Sequence, residues 1–390
     1  MSKVTISDSV RYIGCDDHTI DLFESQYEVP NGVSYNSYLI LDKKIAIMDT
    51  VDHRATTQWF ENLDRELAGK KPDYLIVSHM EPDHASNIQK VCDKYPEMKV
   101  VANAKIFAMI PQFFNIDLSD RKVEVKEGDT LELGEHVLTF VMAPMVHWPE
   151  VMVEYESTEK ILFSADGFGK FGALDVEEDW DCEARRYYMN IVGKYGTSVQ
   201  ALLKKAASLD IQMICPLHGP ILKENLEHYL EKYDIWSSYR PENEGVTIAY
   251  ASIHGNTAAA AKKMGEMLEA RGEKVSLFDL SRDDMAEAIE DAFRYDKLIL
   301  AAPTYDAALF PCMEDFLYHL KIKNYQKRTI GIIENGTWAP MAGKLMKAYA
   351  EQFKDCTVIE PVVTIKSTMN ESTVKAMEEL ANQILQSKAE

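Results

Sequence analysis

The sequence predicts an α/β chain built from two domains, and three observations carry that expectation. Apolar runs of strand length recur along most of the chain. Stretches with helical periodicity separate them. Near residue 240 the rhythm changes, from irregularly spaced strands to an even strand–helix alternation. At 390 residues the chain is long enough to bury two ordinary cores.

In the first half, strand-like runs fall at 37–40, 45–48, 74–77, 137–142, 161–165 and 213–215, with helical stretches at 56–67 and 85–94. The segment 236–245 is polar and broken by Pro241 and Gly245, which reads as a linker. Strands are then expected near 246–251, 275–279, 297–302, 329–333 and 357–365, with helices between them. That alternation is the mark of a doubly wound parallel sheet. The expected domains are therefore 1–240 and 246–390.

Bulk properties exclude several partner classes. The formal charge of −21 argues against nucleic acid and against an anionic membrane surface, since both need clustered Lys and Arg. No apolar stretch reaches the roughly 20 residues that span a bilayer, and the N-terminus lacks the apolar core of a signal peptide. Six scattered cysteines form no Cys-x-x-Cys pair. They read as mostly buried thiols in a reducing cytoplasm.

The densest chemistry is the hexapeptide 79–84, His-Met-Glu-Pro-Asp-His, placed directly after an apolar run. Two imidazoles and two carboxylates in this pattern are expected by chance about 0.007 times in a chain of this composition. His79, Glu81, Asp83 and His84 are therefore candidate metal ligands. His147, Asp166 and His218 each follow a further strand-like run, so all seven could meet at one rim of a β-structure. Singly, Asp166-Gly167 also reads as a turn, and His147 as a satisfied core histidine. Four His and three carboxylates suit two metals sharing a bridging carboxylate.

The second half offers a different site. Ser252-Ile253-His254-Gly255-Asn256-Thr257 joins a strand to a helix expected over 258–270. Hydroxyls, backbone N–H groups and a helix N-terminus make a phosphate cradle. Lacking a following Lys and a Gly-x-Gly-x-x-Gly, it suits a monophosphate better than ATP or NAD; a plain strand–turn–helix junction would read alike. Pro303-Thr304-Tyr305-Asp306 and Asn335-Gly336-Thr337-Trp338 follow the third and fourth strands, where open α/β sheets bind ligands. Tyr305 and Trp338 offer flat faces for a planar ring, or are core packing. Together the three loops suggest FMN.

These motifs resemble the flavodiiron protein family over essentially the whole length. Metallo-hydrolases of the β-lactamase fold carry His-x-His-x-Asp-His at the hexapeptide; here Glu81 replaces the second His, as in the flavodiiron pattern. The added carboxylate favours iron over zinc. The intervals of 62 residues from His84 to His147 and 18 from His147 to Asp166 match that pattern. The 51 residues between Asp166 and His218 are fewer than the pattern has, which puts the change in the loop at 170–183.

The resemblance implies a metallo-β-lactamase-like αββα sandwich followed by a flavodoxin-like domain. It implies a diiron centre with His79, Glu81 and His147 on one iron, Asp83, His84 and His218 on the other, and Asp166 bridging. It implies reduction of dioxygen to water, of nitric oxide to nitrous oxide, or both. Four-electron reduction of dioxygen matches two ferrous ions plus a two-electron flavin. No rubredoxin-like module follows residue 390, so electrons are expected from an external donor such as a rubredoxin. A head-to-tail homodimer, or a dimer of dimers, would bring one subunit's FMN to the other's irons. By similarity of 185–190, Arg-Arg-Tyr-Tyr-Met-Asn, Tyr187 and Tyr188 are candidate proton donors, or ordinary helix packing. The alternative is a zinc hydrolase of the same fold with a flavodoxin-like appendage, to which a flavin would be of no use.

Overall fold

The structure is a computed structural model and describes residues 4–387. Grouped by contact, these form two units. The first comprises residues up to Tyr188 together with Thr197–Asp234, and the second Met189–Gly196 together with residues from Ile235 onward.

The first unit holds two mixed sheets. One has six strands in the order Val10–Tyr12, Tyr38–Ile40, Ala46–Met48, Tyr74–Ile76, Lys99–Ala102 and Lys122–Glu124, the last four mutually parallel. The other runs Thr130–Glu132, Val137–Met142, Met152–Glu156, Ile161–Phe163 and Met213–Cys215. The strands Tyr38–Ile40 and Ala46–Met48 are buried at every residue, so both of their faces are covered, as sandwiched sheets require. The helix Thr56–Leu67 spans the expected residues and buries Trp59, Leu63 and Leu67 along one stripe. It stops where Ala68 turns left-handed. Each of those side chains contributes about 1.5–3 kcal/mol by leaving water.

Two expectations change in detail. The helix expected at 85–94 is two pieces, Pro82–Ala85 and Ile88–Lys94, because Pro82 starts a helical turn early. The segment 236–245 is no free linker. The helix Leu226–Ser237 runs into it and the strand Asn243–Tyr250 begins within it. Trp236 is 1% exposed, with its indole donating to Glu242. Ser237 and Tyr239 are buried with it, whereas Arg240 and Glu244 face solvent.

The second unit is a parallel sheet in the order Val275–Asp279, Asn243–Tyr250, Tyr295–Tyr305, Thr329–Asn335, with Thr357–Val358 and Val363–Ile365 both along the last. Numbered along the chain this is 2-1-3-4-5, the flavodoxin-like order, with its switch point between the first and third strands. The strand expected over 357–365 is interrupted at Pro361, which cannot donate to the ladder. One side is packed by Ile248, Met264, Leu268, Ile299, Ile333, Leu380 and Ile384. The helix expected over 258–270 spans Asn256–Glu269. Of the cysteines, Cys15, Cys92 and Cys215 are buried, whereas Cys182 is exposed and Cys312 and Cys356 are half-buried. That is fewer buried thiols than expected. No described helix is long and apolar enough to cross a membrane.

Candidate metal centre and loop cavity

Strand placement and a few local hydrogen bonds gather the hexapeptide and its distant partners. Tyr74–Ile76 lies between parallel neighbours, so the chain leaves the sheet at its C-terminal edge and enters 79–84 at once. Ser78 N–H donates to Asp49 Oδ1 at 2.7 Å, and Thr50 Oγ1 donates to the His84 carbonyl at 2.6 Å. Asn36 Nδ2 donates to the carbonyls of Pro216 and Gly219, fixing the turn that carries His218. Asp166 follows Ile161–Phe163, which is parallel to Met213–Cys215. Asn103 Nδ2 holds the Glu150 carbonyl at 2.7 Å, three residues beyond His147.

All seven candidate ligands converge. His79, Glu81, His147 and Asp166 offer atoms within 4.8 Å of one another, and so do Asp83, His84 and His218. Glu81 Oε2 lies 3.3 Å from His79 Nε2 and 2.9 Å from His147 Nε2. Asp83 Oδ2 lies 3.3 Å from His84 Nε2 and 3.1 Å from His218 Nε2. Asp166 stands between the sets. Its Oδ2 is 3.2 Å from His79 Nε2 and 3.4 Å from His147 Nε2. Its Oδ1 is 3.3 Å from His84 Nε2 and 3.8 Å from His218 Nε2.

The residues present fit a pair of cations. Both oxygens of Asp83 and both of Asp166 are buried without a hydrogen bond. The Nε2 atoms of His84 and His218 face each other at 3.1 Å. Buried carboxylates and imidazoles converging this closely suit a cation among them. The far ring nitrogens support the same assignment. His79 Nδ1 lies 2.8 Å from Glu150 Oε1, and His218 Nδ1 lies 2.7 Å from the Ser34 carbonyl. Donation there leaves each Nε2 lone pair aimed inward, the arrangement that metal-ligating histidines adopt.

Without metal the groups pair as acids and bases. Burial opposes charge on His79, yet Asp166, Glu150 and Glu81 lift its pKa well above the usual imidazole value. Burial likewise opposes charge on His147, while Asp166 and Glu81 raise it to about 9. Burial would raise Glu81 and Asp166, but the imidazoles hold both carboxyls well below the ordinary range.

The tyrosine pair divides. Tyr187 is buried 5.6 Å from the His218 ring, and burial together with Asp166, Asp83 and Glu81 pushes its hydroxyl well above the usual value. Tyr188 packs edge-on against Tyr233 at 5.1 Å. In the 170–183 region, Phe171 is buried between Tyr187 and Phe23, and Lys170 pairs with Glu178. The sequence reading missed Glu150 and the Ser34 carbonyl. Glu150 left one signal, a carboxylate three residues after His147.

A cavity of about 570 Å³ opens among the three loops of the second unit. Ser252, Ile253, His254, Asn256, Thr257, Pro303, Thr304, Tyr305, Asp306, Asn335, Gly336, Thr337 and Trp338 all line it, and of the expected set only Gly255 does not. Gly255 has φ +89 and caps the helix that follows; its N–H donates to Ser252 Oγ at 3.1 Å. Two expected contacts have structural duties. Thr304 Oγ1 accepts from the N–H groups of Met341 and Ala342. Asn335 clasps Ser367 through both of its amide atoms. Ser367, which also lines the cavity, was missed because its loop carries no phosphate or aromatic signal. Trp338 is 81% exposed and Tyr305 45%, so neither ring is core packing.

Both halves of the chain are similar to known proteins. A family model described as "ODP family beta lactamase" matches residues 33–219, and a "Flavodoxin domain" model matches 247–379. The chain is 28% identical to an anaerobic nitric oxide reductase flavorubredoxin of Aliivibrio salmonicida, over 86% of this chain and 69% of that protein. It is 29% identical to diflavin flavoprotein A 1 of Thermosynechococcus vestitus, over 97% of this chain and 66% of that protein. Its fold superposes on rubredoxin oxygen:oxidoreductase of Desulfovibrio gigas with a TM-score of 0.91 at 24% identity, covering 97% of both chains. The chain therefore carries an ODP-family β-lactamase domain followed by a flavodoxin domain, and in that order and in overall fold it is similar to the flavodiiron proteins.

Proposed function

We propose that this chain is an oxidoreductase that reduces dioxygen to water, nitric oxide to nitrous oxide, or both, at two irons held by the seven clustered residues. The observation that carries the reading is Asp166, whose two oxygens face two separate His–carboxylate sets. In this reading His79, Glu81 and His147 hold one iron, Asp83, His84 and His218 the other, and Asp166 bridges. Three carboxylates among seven donors make the site harder than an imidazole-rich zinc site. When bound, the irons supply electrons and open coordination positions, and FMN in the loop cavity supplies the means to refill them.

The chain's own residues do the rest. Glu150 and the Ser34 carbonyl hold two imidazole rings in register. Phe23, Phe171 and Tyr187 keep water from the His218 side. Tyr187 stays protonated at working pH, so its hydroxyl would be available as a hydrogen-bond or proton donor beside the His218 side of the cluster. Thr257 and the N-terminus of Asn256–Glu269 suit the flavin phosphate, while Trp338 and Tyr305 offer faces to its ring. Names among the relatives point to both gases, nitric oxide in the flavorubredoxin and dioxygen in the rubredoxin oxidoreductase. The proposed setting is a reducing cytoplasm, with a rubredoxin-like donor and a head-to-tail homodimer.

The test is direct. Full-length protein purified without added metal should be yellow, release FMN on denaturation and carry about two irons per chain. It should consume dioxygen or nitric oxide when an artificial or rubredoxin donor supplies electrons. Zinc in place of iron, with no flavin, would overturn the reading in favour of a hydrolase.

A further inference from the structure

The two ends of the metal cluster meet solvent differently. Glu81 has 15% of its side chain open, whereas Asp83 has 10% and His84 and His218 have 1% or less. Rings close the His218 side. Phe23 stands 5.3 Å from His218 and Tyr187 5.6 Å, and the buried Phe171 packs on both at 5.5 and 5.2 Å. Phe171 belongs to a strap, residues 170–178, which contains no helix and a single β-bridge, Val33 to Gly172. So little regular structure leaves the strap dependent on its side chains.

At its middle the strap is stitched by backbone. Gly172 N–H donates to the Gly32 carbonyl at 3.1 Å, and Ala173 N–H to the Asn31 carbonyl at 2.9 Å. Its two ends are joined by charge. Lys170 Nζ donates to Glu178 Oε1 at 2.5 Å and to the Phe171 carbonyl at 2.8 Å, and Glu178 Oε2 accepts from Asn31 Nδ2 at 2.7 Å. Two glycines make room for the pair. A Cβ on Gly172 would overlap Glu178 Oε1, and one on Gly219 would stand 2.7 Å from Lys170 Cγ. The Lys170 stem therefore lies directly against the residue that follows His218. Lys170 is 5% exposed, and an ammonium this deep is costly without its carboxylate. Glu178 has 14% of its side chain open, so the pair can part only from the Glu178 end.

We propose that the Lys170–Glu178 ion pair is a latch, which holds the strap and Phe171 against the ring wall and so keeps water and small anions from the His218 side of the cluster. Lys170 and Glu178 are positioning residues: neither is among the seven, and they act through Phe171 and the turn at Gly219. The shielding role rests on the dinuclear reading above, whereas the latch itself rests on hydrogen bonds of the metal-free chain. With the latch closed, a small molecule reaches the cluster from the Glu81 side, where the clustered side chains are most open. With it released, the His218 side becomes a second approach.

Hydrogen exchange in metal-free, full-length protein reads the latch. K170M keeps the stem against Gly219 without its charge, and E178Q keeps the outline of the acid. In each, the Gly172 and Ala173 amides should exchange about tenfold faster than in wild type. The double variant K170M/E178Q separates a lost latch from a stranded charge. It should regain thermal stability that the single variants lose, since a neutral pair leaves no buried charge unpaired, yet its exchange should stay fast. Cobalt(II)-loaded protein, with about two Co²⁺ per chain, reads the shield: azide should bind about tenfold faster to E178Q than to wild type, followed in the visible d–d bands. Unchanged exchange at Gly172 and Ala173 in folded E178Q would overturn the latch. Faster exchange with unchanged azide association would overturn the shield and leave the pair a scaffold contact. Failure of the wild type to bind cobalt would overturn the dinuclear reading, and the shielding role with it, whatever the exchange rates.

Discussion

Glu81 is the residue on which the choice of metal turns. It sits between two imidazoles, 2.9 Å from one and 3.3 Å from the other, and supplies one of three carboxylates. Glu81→His should move metal preference toward zinc and abolish gas reduction, as elemental analysis and oxygen consumption would show. Retained turnover would mean that Glu81 is not a ligand. His147 gives a pH prediction. Its folded pKa, near 9 without metal, lies above the unfolded value, so its ion pairs stabilise the metal-free protein below about pH 6.5, and that contribution is lost as pH rises through 9. Metal must displace this proton and the one that His79 holds, so affinity should rise with pH. A competition titration with a metal indicator would read this slope. The seven clustered residues were legible because each follows an apolar run and four of them sit within six positions. Glu150 and the Ser34 carbonyl were not. They are common groups brought in from remote segments, and only the folded chain shows what they touch.

Among the elements, the three loops of the second unit were the most legible, since each sits at the end of a long buried strand. The strand Val275–Asp279 has the expected bounds, whereas the last strand is split at Pro361, a break that an apolar run does not disclose. Trp338 is free of core duties, so Trp338→Ala should leave the apoprotein's stability unchanged. It should weaken FMN binding about five- to tenfold through lost stacking, and flavin fluorescence in the bound state should rise. Gly255 acts through its backbone. A Cβ there would meet nothing within 4 Å, yet φ is +89. Gly255→Ala should therefore cost about 1 kcal/mol in chemical denaturation of the apoprotein, from conformational strain alone. Wild-type stability would show that the turn relaxes.

At the scale of the whole molecule, division near residue 240 follows from the change of rhythm, but the return of Met189–Gly196 to the second unit does not. That short segment has no periodicity of its own. Its anchors are Asn190, which donates to the Ala286 carbonyl and whose carbonyl accepts from Lys323, and Gly193, whose carbonyl accepts from Tyr239. A fragment cut at residue 240 would keep 189–196 but lose those partners from Ala286 onward. It should bind a hydrophobic dye and unfold at lower temperature than the full chain, because Met189, Ile191 and Val192 lose cover worth about 1.5 kcal/mol or more each.

The same detour has a consequence during synthesis. Residues 189–196 leave the ribosome well before the sheet they join, whose strands begin at Asn243 and end at Ile365. At about 5–20 residues per second, the wait is on the order of ten seconds. Through that interval the nascent chain carries a short apolar stretch whose home does not yet exist, flanked on both sides by a unit that can already close. It is the point at which a chaperone would be expected to hold this chain.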